Sequence, residues 1–165
     1  MSLATGLVLI ALAALVQAAV LPAFSIFGAQ PNLLVVLLIA WMSVRGKREA
    51  LPLIPAAGFL QGLLDSQPLG LAMLALAPLV LMTEVPELRL VESDLVPALV
   101  LTAVATFAYE GTMLLALVVT GERLDRAASV MDVLLPAVIA NTLLLLPVYG
   151  VMRLANMDLA GRKAF

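Results

Sequence analysis

Glu110 and Asn141 set ionisable or amide chemistry inside otherwise apolar stretches, and so mark where this chain could act. A carboxylate next to a second carboxylate can run acid–base hydrolysis. Only Asp65 offers Glu110 such a partner, and the two acids are predicted several residues apart in depth. The chain has no His and no Cys, which excludes Ser-His hydrolysis, thiolate chemistry, disulfides and His- or Cys-ligated metals. No catalytic, cofactor-binding or metal-binding residue is therefore expected, and an intramembrane enzyme ranks last among the readings. Glu110 and Asn141 read instead as a pair. Counting about 1.5 Å per residue, they lie roughly 14 Å and 12 Å from the same end of consecutive helices, so they are expected to meet directly or through water.

Further polar groups lie near the same end. Gln17 falls late in the first apolar stretch, Asn32 opens the second, and Gln61 and Asp65 close the third. Thr102, Thr106, Tyr109, Glu110 and Met113 share one face by their spacing. That stripe reads in two ways. The hydroxyls can bond back to the preceding turn, or the stripe can line a polar pocket or docking groove. Gly58 and Gly62 form a small-xxx-small pair, the pattern that lets helix backbones approach closely, within one chain or between two. The candidate partner-binding or intramembrane polar residues are thus Asn32, Gly58, Gln61, Gly62, Asp65, Glu110 and Asn141.

The elements that hold these residues follow from composition. Of 165 residues, 64% are hydrophobic and 12% charged. A soluble domain carries about 25% charged residues, so the natural solvent for most of this chain is lipid. The apolar runs are continuous and Leu/Ala-rich rather than alternating, which favours helices over barrel strands. A spanning helix needs roughly 20 residues, so about six spans use most of the length. The expected architecture is all-α: one polytopic helical membrane domain over 1–165, with spans near 3–21, 31–44, 50–64, 68–82, 95–119 and 133–152. A signal peptide is the alternative for the first stretch, but no Lys or Arg precedes it. Pro31 is predicted to start the second helix, where its missing N–H costs nothing. The short blocks at 50–64 and 68–82 read either as two tilted spans or as a re-entrant hairpin.

Orientation follows from Lys and Arg counted near the spans. With six crossings one side holds Arg45, Lys47, Arg48, Arg89, Arg153, Arg162 and Lys163, and the other only Arg123 and Arg126. Both termini are predicted cytoplasmic. The intramembrane polarity then collects in the outer half. The net charge of -2 gives no electrostatic footprint for nucleic acid.

With the spans in place, the chain resembles the rod shape-determining MreD family. The resemblance rests on length and span number, on Gln30-Pro31-Asn32-Leu33 opening the second span, and on Gly58-Phe59-Leu60-Gln61-Gly62-Leu63-Leu64-Asp65 followed by Pro68-Leu69-Gly70. Asn141, Pro147 and Arg153 in the last span complete it. It implies a multi-pass protein of the bacterial cytoplasmic (inner) membrane, without cofactors. It also implies a scaffold of the cell-elongation complex that binds the spanning helix of MreC. Through MreC it would connect MreB filaments to the peptidoglycan synthase of RodA and a class B penicillin-binding protein. A homo-oligomer within that complex is compatible with the resemblance. The alternative is a solute-binding membrane subunit, since the family's fold is said to resemble the substrate-binding component of energy-coupling-factor vitamin transporters.

Overall fold

Residues 34–43 include no charged group, and a helix that is apolar on every side belongs in an interior. The computed structural model places it there. It describes residues 3–24, 29–64, 70–84, 95–119 and 130–161. The helices are α1 (Leu3–Ala19), α2 (Leu33–Arg45), the single turn α3 (Lys47–Ala50), α4 (Leu53–Leu64), α5 (Leu71–Glu84), α6 (Leu95–Val119) and α7 (Val130–Gly161). A 3-10 turn, Leu21–Ala23, follows α1. Every α2 residue from Leu34 to Ser43 is buried. Around it α1 packs on α4, α4 on α5, α5 on α6 and α6 on α7, while α2 itself touches α1, α6 and α7.

The polar contacts fix the directions of the helices. Gln17, near the end of α1, bonds the first turn of α2, and Arg45 at the end of α2 bonds Asn156 near the end of α7. So α2 runs against α1 and alongside α7. One end of the bundle gathers the last turns of α1 and α4 with the first turn of α2. The opposite end carries Arg45, Lys47, Arg48 and Arg153.

Local chemistry sets the boundaries. Asn32, not Pro31, caps α2: its Oδ1 accepts the Val35 N–H at 3.1 Å, and Pro31 stands one residue outside the helix. The helix therefore starts two residues later than predicted, because a side-chain acceptor satisfies an orphan N–H that Pro cannot help. Gly46, at φ 92°, ends α2 in a conformation that L side chains rarely adopt, and its N–H bonds the Met42 carbonyl at 3.0 Å. Gly70, at φ 96°, precedes α5 in the same way. Helix α6 occupies the expected 95–119. Helix α7 does not stop near residue 152. It runs 32 residues, because Arg153, Leu154, Ala155 and Met157 are good helix formers and continue the helix past its apolar part.

Among the described residues, three segments are long and apolar enough to cross a bilayer alone: Leu3–Ala23, Leu95–Ala116 and Leu134–Asn156. Helices α2, α4 and α5 have 13, 12 and 14 residues. At about 1.5 Å per residue they reach roughly 18–21 Å, short of the ~30 Å hydrocarbon thickness. Leu12, Phe59, Leu74, Leu81, Val100, Phe107, Leu115, Leu135 and Val151 stay exposed on the outer faces, so the apolar surface extends around the bundle. The chain is an all-helical membrane protein.

Candidate functional site

The interior is largely apolar, and the polar groups that bond between helices inside it gather at the end where α1 finishes and α2 begins. There the first turn of α2 presents N–H groups that its own helix cannot satisfy. Amide side chains from α1, α7 and the α2 cap itself supply acceptors. Gln17 of α1 takes the Leu34 N–H on its Oε1 at 3.1 Å. Asn32 takes that of Val35. Asn141 of α7 takes the Asn32 N–H on its Oδ1 at 2.6 Å. The other half of the Asn141 amide donates from Nδ2 to Thr106 Oγ1 of α6 at 3.0 Å. Asn141 thus fastens α2 to α6 through α7, and it is fully buried. Across the bundle Gln61 Nε2 of α4 donates to the Tyr109 hydroxyl of α6 at 2.7 Å.

Next to this network lies a cavity of about 320 Å³. Its polar lining is Gln17, Gln30, Asn32, Gln61, Tyr109 and Glu110, and Leu21, Pro22 and Leu64 stand at its apolar margin. Among the described residues of that wall Glu110 is the one carboxyl, and there is no Lys or Arg. Gln61 is 4% exposed, yet its Oε1 has no hydrogen-bond partner among the described residues.

The sequence-predicted residues divide as follows. Asn32, Gln61 and Glu110 share the cavity, with Asn141 bonded directly behind it. Asn141 and Glu110 do not bond each other. Thr106, one turn earlier on α6, takes the amide, and Glu110 faces the cavity instead. Gly58 and Gly62 are buried. A Cβ on Gly58 would stand 2.7 Å from Met73 Cα, so this glycine marks a close crossing of α4 and α5 inside the chain. Asp65 lies outside the described residues. The Thr stripe follows both readings. Thr102 and Thr112 bond back to Ala98 and Ala108 at 2.8 Å, while Thr106 joins the network. Gln30 and Tyr109 join the cavity wall without standing among the candidate residues. Their signal was position, an amide beside Pro31 and a phenol beside Glu110. Arg45 and Glu49 stand at the i,i+4 spacing of a helical ion pair, but nothing in the sequence pointed to Asn156; the Arg45 fork grips Glu49 with two bonds of 3.1 and 3.2 Å and Asn156 with one of 2.7 Å.

Among the described residues, no three acids, His or Cys converge as metal ligands. The site is thus a polar knot with one carboxylate, set in an all-helical membrane bundle whose polar groups mostly fasten helix to helix. That defines an integral, helical membrane protein with an interior polar network. The chain belongs to the MreD family, rod shape-determining protein MreD, whose family model matches residues 1–155. Its role is accordingly in rod shape determination, and the family is a structural one rather than one known for catalysis. No curated protein and no solved structure matches the chain.

Proposed function

We propose that this protein is a non-enzymatic, multi-pass scaffold of the bacterial inner membrane that grips the spanning helix of MreC. It would thereby join MreB filaments to the synthase formed by RodA and a class B penicillin-binding protein. The observation that carries this reading is the family match over residues 1–155. The geometry agrees with it. The interior polar groups hold the bundle together, so a partner helix has to meet the outer apolar faces. Gly58 is already occupied by α5 and does not serve that contact. Among the described residues, two apolar clefts interrupt the outer surface. One, of about 380 Å³, lies between α6 and α7 at Val104, Phe107, Leu134 and Leu135. The other, of about 480 Å³, lies where α1, α2 and α7 meet at Leu9, Leu37, Pro147 and Val148.

In this reading residues 1–165 form one membrane domain. The basic end, with Arg45, Lys47, Arg48 and Arg153, faces the cytoplasm, and the polar cavity opens outward. Depletion in the native rod-shaped cell is the functional test. Rounding, reversed by the wild-type chain, is the expected result; rods of unchanged width would contradict the proposal.

A further inference from the structure

The cavity at the α1, α2, α4 and α6 junction is unevenly provided with charge among its described residues. Of the N–H donors at the start of α2, those of Asn32, Leu34, Val35 and Val36 have acceptors. The Gln61 amide nitrogen is bonded to Tyr109. What the described wall lacks is a cation. The Glu110 carboxylate lines the cavity, and so does Gln61, whose buried Oε1 has no partner among the described residues. The donors in that wall, the side-chain amides of Gln17, Gln30 and Asn32 and the Tyr109 hydroxyl, are all neutral. A buried acceptor without a donor is costly, and a carboxylate without a cation more so. Such a wall is complementary to a group that carries positive charge and several N–H donors. A primary ammonium has three donors and no acceptor. The volume of about 320 Å³ lies at the small end of ligand pockets.

We propose that this cavity is a binding site for a small primary-ammonium group, held by the Glu110 carboxylate and Gln61 Oε1. The Tyr109 phenol and the Leu21, Pro22 and Leu64 side chains enclose its apolar remainder. The ammonium group comes from a free amine or from the ethanolamine headgroup of a lipid at the same end of the bundle. The site is independent of the scaffold reading, because it uses none of the outer clefts.

The test uses the full chain purified in detergent, with thermal unfolding followed against ethanolamine and against ethylene glycol, its neutral near-isostere, at matched ionic strength. A saturable rise in Tm with ethanolamine and none with ethylene glycol is expected. Glu110→Gln should weaken that response at least about tenfold, the scale of losing a hydrogen bond to a charged group. Reconstitution in phosphatidylglycerol discs with and without phosphatidylethanolamine separates the sources. Stabilisation by the lipid alone assigns the headgroup, and stabilisation by soluble ethanolamine assigns a free amine. No saturable response to either source overturns the proposal, as does an equal response to ethylene glycol. An undiminished response in folded Glu110→Gln protein also overturns it. Should Glu110→Gln fail to fold, the comparison of ethanolamine with ethylene glycol on the wild-type chain decides alone.

Discussion

Asn141 holds more of the interior together than any other single amide in this protein. Its two functional groups point to different helices, one to the Asn32 N–H and one to Thr106. Truncation to Ala leaves the Asn32 N–H, itself in a buried residue, without an acceptor. Such an orphan costs about 1–3 kcal/mol. Asn141→Ala should therefore lower the unfolding temperature in detergent clearly. Thr112→Val should change it little, because the Thr112 hydroxyl only doubles a bond to the Ala108 carbonyl within its own helix. Equal effects of the two substitutions would show that the Asn141 bridge does not contribute. At this scale the sequence singled out polar residues inside apolar stretches but not whom they touch. Depth along the helices brought Asn141 and Glu110 to one level. The rotation of α6 about its axis, set by packing against α5, α2 and α7, then gave Asn141 to Thr106 and turned Glu110 to the cavity.

Helix α4 meets α5 more closely than a side chain allows. The virtual Cβ of Gly58 falls 2.7 Å from a backbone atom, Met73 Cα, and backbone cannot swing aside as a side-chain tip can. Gly111 of α6 has open space there, with nothing within 4 Å. The two glycines sit in helices, yet opposite outcomes follow. Gly58→Ala should destabilise the protein by separating α4 from α5. Gly111→Ala should be neutral or stabilising, since Ala exceeds Gly in helix propensity by about 1 kcal/mol. Thermal unfolding of the pair checks this, and a stable Gly58→Ala variant would contradict the close crossing. The small-xxx-small spacing was readable in the sequence, but its target was not, because the pattern serves contacts within and between chains alike. Boundaries followed the same division. The expected 95–119 matched α6, where polar segments flank the apolar run on both sides. The end of α7 was missed, because hydropathy reports where lipid stops and not where a helix stops. Residues 153–161 keep the helix going, and Asn156 ties it to Arg45.

For the whole molecule, polarity is sorted by end. The cavity, Gln17, Asn32 and Gln61 lie at one end, and the Arg45, Lys47, Arg48 and Arg153 cluster at the other. Composition alone established an apolar, helical chain, and the uneven placement of its few charges suggested the orientation. The chain contains no cysteine, so single-cysteine probes report without background. Gln30→Cys and Arg48→Cys both replace exposed residues. In intact spheroplasts the first should react with a membrane-impermeant maleimide and the second only after lysis. The reverse pattern would invert the proposed topology.

The central claim, that this bundle is a scaffold for MreC, has one direct test. The full chain should be expressed with the MreC of its own organism, solubilised in mild detergent and purified through a tag on the MreC side. Co-elution as a defined complex in size exclusion is the predicted result. A folded, helical chain, confirmed by circular dichroism, that elutes apart from MreC would contradict it.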